Sequence, residues 1–282
     1  MKFFKSNKIK RDTKRVFLKK GTCSRTFFYL LNREFGYPID EEEEAADPLA
    51  GGVVQLGYQC GMIWGASFAL GAESYRRTGD LNKAVNMAIQ STRHVMNSFI
   101  SRTNTPDCQD ITETDWSKKY SIFKFMITGK MFTCFKLAEK WAPEAFDAAA
   151  EGLAMDISGL PDKPVSCASE VVRKMGGSEK ETAIVAGLAG GMGLSGNGCG
   201  ALGAAIWLNS LSRVREGNYK YTLSDTVLEK IIKTFYDETD FEMECNKICG
   251  RKFNSIKEHT DFIQEGGCDK LINVLASTRS LQ

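Results

Sequence analysis

Cysteine offers this chain its richest chemistry, and the cysteines are spaced in a repeated pattern. Residues 49–61 read LAGGVVQLGYQCG and residues 188–200 read LAGGMGLSGNGCG, with 7 identities in 13 positions at an ungapped offset of 139. Each word joins a glycine-rich turn to a thiol, Cys60 or Cys199. The remaining thiols keep the same order. Cys23, Cys60, Cys108 and Cys134 stand 37, 48 and 26 residues apart; Cys167, Cys199, Cys245 and Cys268 stand 32, 46 and 23 apart. Cys249 alone has no counterpart. Four thiolates converging on a point suit an iron–sulfur cluster or an all-cysteine zinc site. Zinc sites usually draw on tight cysteine pairs, and only Cys245 and Cys249 are that close. Ligands placed one per helix end require the fold before the site. That pattern favours a cluster or redox centre held in a helical core.

The glycines are part of that chemistry. Backbone N–H groups at a helix start attract negative charge, depress a thiol pKa and tune sulfur-ligated iron by hydrogen bonding. Cys60 and Cys199 are each expected at such a start. Gly191, Gly196, Gly198 and Gly200 are expected to line the second centre; the alternative is that they only let helices pack closely. Gly191, Gly193 and Gly196 also spell a lone GxGxxG with Glu216 twenty residues on. A dinucleotide site needs a strand before that motif, and AIVAGLA reads as helix. The first word lacks the pattern.

The duplication predicts the scaffold: an all-α protein of two tandem helical repeats, packed about a pseudo-two-fold axis through buried glycine-rich helices. A basic tail covers 1–20, the first repeat 21–155 and the second 160–282. Asp40 with Glu43, and Ser178 with Glu181, have the capping-box form. After each word comes an apolar helix ending in arginines, Arg76 and Arg77 or Arg213 and Arg215, where cations suit the helix dipole. The aromatic run YSIFKFMITGKMF (120–132) finds no counterpart, and is expected to cover the first site or form a homodimer contact. His94 and His259 are the only histidines, and His259 could support or replace a ligand near Cys268.

Charge excludes one class of function. Lys plus Arg (37) nearly balances Asp plus Glu (35), so no strong field invites nucleic acid. The basic run Lys5, Lys8, Lys10, Arg11, Lys14, Arg15, Lys19 and Lys20 reads as a solvated tail or frayed helix, or else a docking arm. Pro48–Ala72 and Thr182–Ser212 carry no charge and exceed the ~20 residues of a membrane span. Glycine clusters and polar residues interrupt both, so they are expected as buried helices. The N-terminus has no apolar signal-type core. A cytoplasmic location with reduced thiols is expected.

These residues resemble the family labelled redox-active and named for the pattern C…GCAxxG…C…C. The second half carries the resemblance best. Cys167 stands for the first cysteine, Gly198-Cys199-Gly200-Ala201-Leu202-Gly203 for GCAxxG, and Cys245 and Cys268 for the last two. Gly200 occupies the alanine slot. In the first half Gln59 replaces the leading glycine, Gly61 the alanine, and Gly65 falls one place late. The family is helical and looks related to the iron-bearing part of split-Soret cytochromes. The resemblance therefore implies an iron–sulfur centre, of 2Fe–2S type, on the matching cysteines, and a redox partner protein. Two alternatives stay open: a metal-free thiol–disulfide oxidoreductase using Cys199, and a structural or interaction protein with a zinc-filled or empty core.

Overall fold

The computed structural model describes residues 12–116, 118–222 and 224–281, and all regular structure among them is helical. One isolated antiparallel bridge joins Gln59 to Asp107. The first repeat runs α1 (12–20), α2 (Cys23–Phe35), α3 (Asp40–Glu44), α4 (Gly61–Thr78), α5 (Leu81–Thr103), α6 (Cys108–Thr112), α7 (Lys119–Ile127) and α8 (Met131–Leu153). The second runs α9 (Cys167–Lys174), α10 (Glu179–Ile184), α11 (Gly200–Arg215), α12 (Thr226–Thr239), α13 (Cys245–Ile248), α14 (Ile256–Gln264) and α15 (Asp269–Ala276).

Helices α4 and α11 form the centre. Neither has a polar stripe through its first three turns, and α11 is buried from Gly200 to Leu211; a helix apolar all round belongs in a core. Phe68 of α4 and Trp207 of α11 pack with their rings tilted at 34° and centroids 5.4 Å apart. Their neighbours are exchanged crosswise: α4 packs on α10 of the other repeat and α11 on α3. At Gly71 a Cβ would lie 2.2 Å from the Ile184 carbonyl oxygen. The indole of Trp207 donates to the Glu42 carbonyl at 3.0 Å. This reciprocal exchange is the pseudo-two-fold relation that the doubled sequence requires.

Both glycine words fold into the same unusual turn. Residues 51–55 all have positive φ, as do residues 190–194. In the first copy the run includes Val53, Val54 and Gln55; in the second, Met192 and Leu194. The left-handed region costs about 1–2 kcal/mol per non-glycine residue. Wide hydrogen bonds hold the turn, equivalent between copies: Val54 N–H to Pro48 O (2.7 Å) with Gly193 N–H to Gly187 O (2.8 Å), and Gly57 to Gly51 with Gly196 to Gly190 (each 3.0 Å). The turn ends by delivering Cys60 and Cys199 as the N-caps of α4 and α11.

Three details differ from the sequence reading. Of the basic run, Lys5, Lys8, Lys10 and Arg11 lie outside the described residues. Residues 12–20 form helix α1, with Val16 and Phe17 buried and Phe17 edge-on to Phe135 at 4.8 Å; the charges occupy its outer face while two apolar residues dock it. Ser178 makes the full capping box with Glu181, but Asp40 is already helical and Ile39 is the cap; Glu43 still accepts from the Ile39 N–H at 3.0 Å. Helix α7 does have a counterpart. It and α14 are each nine residues long and hold the same place between the third and fourth cysteines. Their faces differ, apolar in α7 and polar in α14, so residue matching does not pair them.

Candidate thiol centres

Helix starts deliver the thiols. Cys23, Cys108, Cys167 and Cys245 are first residues of α2, α6, α9 and α13; Cys60, Cys199 and Cys268 are N-caps of α4, α11 and α15. Cys134 is in the first turn of α8. Seven of the nine thiols thus stand where unpaired N–H groups and the positive dipole end favour a sulfur anion.

In the second repeat Cys167, Cys199, Cys245 and Cys268 line one cavity, together with Cys249 and His259. Cys249 Sγ lies 3.5 Å from Cys268 Sγ and 3.9 Å from Cys245 Sγ. The void enclosed is about 10 Å³, room for about one water, so no organic substrate enters between the sulfurs. Burial, reinforced by the neighbouring Cys268, pushes Cys167 up to about 12. Burial, with Cys167, drives Cys199 well above the ordinary thiol value. Cys245 is also raised: its hydrogen bond with Cys249 lowers it, but burial and the surrounding thiols outweigh that. Opposing the shifts are N–H groups of Gly190 on Cys167 and Leu202 on Cys199. His259 is fully buried, bonded through Nδ1 to the Val165 carbonyl at 3.0 Å, and depressed to about 4 by burial. It stands there as a neutral imidazole.

The first repeat repeats the arrangement. Cys23, Cys60, Cys108 and Cys134 lie near enough to shift one another's titration. Gly51 N–H bonds Cys23 as Gly190 bonds Cys167, and Gly51 and Gly190 are the same letter of the two words. Cys23 is the only thiol held below its ordinary value, by the Cys60 thiol first and by three backbone N–H groups against burial. Cys60 is raised correspondingly. Phe125 of α7, with Trp116 just before the helix, packs with Cys108 and Cys134, so the aromatic run lies over the first centre.

Between the centres sits Gln59. Its amide donates to Asp107 Oδ1 (3.2 Å) and Glu244 Oε1 (2.7 Å), the residues before Cys108 and Cys245. Glu244 also accepts from Gly198 N–H at 3.3 Å. Burial raises Asp107 to about 6, and raises Glu244 with help from Asp107.

All eight sequence-predicted thiols fall into these two groups. Of the four glycines, Gly200 lines the second cavity. Gly191, Gly196 and Gly198 instead make close approaches to Asn197, Asn246 and Gln59. Sequence reasoning missed Cys249, Gly51 and Gly190. The Cys245-x-x-x-Cys249 spacing, one helical turn, was the available signal for Cys249. GxGxxG follows no strand among the described residues.

A centre on these thiols fits the donor set. Five thiols, of which Cys167, Cys199 and Cys245 are buried, and an imidazole meet with no lysine or arginine among the lining residues, so a cationic, sulfur-loving centre would supply the counter-charge that their deprotonated forms need. Among the described residues, no three His, Cys, Asp or Glu side chains are grouped to hold a single metal ion.

Fold and sites define a duplicated all-α protein with a buried cysteine centre in each half. Residues 22–143 and 165–279 each match the family described as "Putative redox-active protein (C_GCAxxG_C_C)", and the chain belongs to that family. No curated protein and no solved structure is significantly similar to it. Among the described residues no helix is long and apolar enough to cross a membrane.

Proposed function

We propose that the chain is an electron-transfer or redox-sensing protein carrying an iron–sulfur cluster on Cys167, Cys199, Cys245 and Cys268, with a second centre on Cys23, Cys60, Cys108 and Cys134. The observation that carries this is the convergence of buried and half-buried thiols on helix starts, with N–H groups of Gly51 and Gly190 directed at sulfur in both copies. Ligands placed one per helix start, rather than in tight pairs, weigh toward a 2Fe–2S cluster over zinc. When bound, such a cluster accepts and returns single electrons. The protein supplies the ligands, the low-polarity surroundings and the N–H groups that set the potential. Raised thiol pKa values mean that loading releases protons, so it weakens as pH falls. A reducing, cytoplasmic setting and a protein redox partner complete the reading.

The test is anaerobic purification with iron, acid-labile sulfide and electron-spin measurements. Iron and sulfide in equal amounts are expected, and Cys199→Ser should lose the share held by the second repeat. A colourless, iron-free protein refutes the reading.

One observation favours a second reading, thiol–disulfide chemistry. Cys23 is activated by Cys60, and Cys249 stands 3.5 Å from Cys268. Loss of thiols in pairs on mild oxidation, without metal, would support it.

A further inference from the structure

A roomy cavity lies beside the first centre, whereas the thiols of the second enclose only about 10 Å³. It measures about 510 Å³, within the range of small-molecule sites. Val54 and Leu56 of the left-handed turn form one wall, with Tyr221; Leu228, Ile232 and Tyr236 of α12 form another.

The asymmetry has a sequence cause. Val54 occupies the position of Gly193 in the repeated word. At Gly193 helix α5 approaches so closely that a Cβ would lie 2.4 Å from the Arg93 backbone nitrogen. No side chain fits there. With valine in the first copy, α12 cannot close on the turn as α5 does, and the cavity opens. The cavity is thus written into the one word that departs from the tighter repeat.

Its lining restricts the occupant. Tyr236 and Phe241 stack at 5.1 Å and 29°, offering a flat aromatic face next to aliphatic side chains. The charged lining residues are Asp225, Glu229, Asp237 and Lys233. Lys233 is paired with Asp237 at 2.6 Å and Asp225 with Arg213 at 2.7 Å. An anion would meet surplus carboxylate and no unpaired lining cation, which excludes phosphate-bearing ligands. The Gln55 amide bonds the Tyr221 hydroxyl at 2.9 Å, leaving polar edge groups for a ligand's ring heteroatoms. Tyr221 is near enough to the first centre to feel it: burial, then Cys23, raise its hydroxyl to about 12.

We propose that this cavity binds an uncharged, planar aromatic molecule of about three fused rings, stacked on the Tyr236–Phe241 face beside the first thiol centre. Binding stands apart from the redox reading; only the reason for such a ligand to sit near Cys23 rests on it. The probe is lumiflavin, a neutral tricyclic fluorophore, titrated into the full chain. Quenching is expected with the parent protein. Ile232→Trp should fill the cavity, and Tyr221→Ala should remove part of its wall; each should weaken binding at least ten-fold. Circular dichroism checks that both variants fold, and Tyr221→Ala, at a half-exposed position, keeps the test open if Ile232→Trp does not. Folded parent that leaves lumiflavin unquenched to its solubility limit overturns the proposal, as does affinity unchanged in both variants. Iron and sulfide content of the same samples separates this result from the cluster reading, because either can fail while the other holds.

Discussion

Gly200→Ala adds one methyl group at the closest approach in the second centre. The new Cβ would lie 2.1 Å from the Leu188 carbonyl oxygen and 2.8 Å from its carbonyl carbon. Carbon packs comfortably at ~3.5–4.0 Å, so more than about 1 Å must be regained. The obstacle is backbone, and no rotamer change relieves it. Leu188 begins the left-handed turn, where its carbonyl accepts from Met192 N–H at 3.0 Å, and Gly190 two residues on donates to Cys167. Displacing Leu188 therefore disturbs both the strained turn and its contact with sulfur.

Overpacking of this kind costs about 1–3 kcal/mol, and the helical gain of alanine over glycine returns about 0.5–1 kcal/mol. The net expectation is destabilisation of about 1–2 kcal/mol. It should appear as a lower denaturant midpoint at unchanged slope, with faster reaction of the second-centre thiols toward a thiol reagent. Gly159→Ala is the control, since nothing lies within 4 Å of its Cβ and its φ is not in the left-handed range; it should stay within about 0.5 kcal/mol of the parent. Parent-like stability together with parent-like thiol reactivity in Gly200→Ala would refute the claim that this approach positions the centre.

Cys249→Ser should keep the parent's iron and colour while Cys199→Ser loses the second repeat's share of both, because four ligands suffice and Cys249 lacks a first-repeat counterpart; equal iron contents in the two variants would exclude that assignment. Asp47 is raised from 3.8 to about 6 by burial, although Thr22 and Arg25 oppose the shift. The folded state then holds this proton more tightly than the unfolded one. Its contribution to stability is fully present below about pH 4 and falls as pH climbs through 6, by up to about 3 kcal/mol. Asp47→Asn should flatten that part of the stability profile; unfolding curves at pH 4 and 7 decide it. Gln59→Ala strands two half-buried carboxylates and should cost about 1–3 kcal/mol, read by denaturant melts; a neutral result would mean that water replaces the amide.

The thiol order and the glycine words were legible because chemistry and a 139-residue offset mark them. The helix-start placement followed from the same words. Cys249 was missed because the repeat argument discards whatever has no partner, although its one-turn spacing from Cys245 was visible. The sulfur-directed N–H groups of Gly51 and Gly190 depend on the left-handed turn, and a run containing Val53 and Val54 gives no sequence warning of positive φ. The counterpart of α7 was hidden because the two helices share length and place but not pattern: α7 shows Tyr120, Phe123 and Ile127 to solvent, whereas α14 buries His259 at the second centre.

Duplication explains why the centres can diverge without losing the fold. What both copies keep is structural and local: a left-handed turn, an N-capping thiol and one glycine N–H on sulfur. Each departure has a neighbour that accommodates it. Gln59, in place of the glycine at 198, sends its amide across to Glu244, while a Cβ on Gly198 would lie 2.4 Å from Gln59 Oε1. One copy must therefore stay small for the other to bridge. Val54 opens space that Gly193 closes. The two substitutions act on different sides of the same turn, one joining the centres and one opening the cavity beside the first. A protein whose halves did identical work would gain nothing from either change, so the proposed ligand beside the first centre and the close-packed second centre assign the two halves different work.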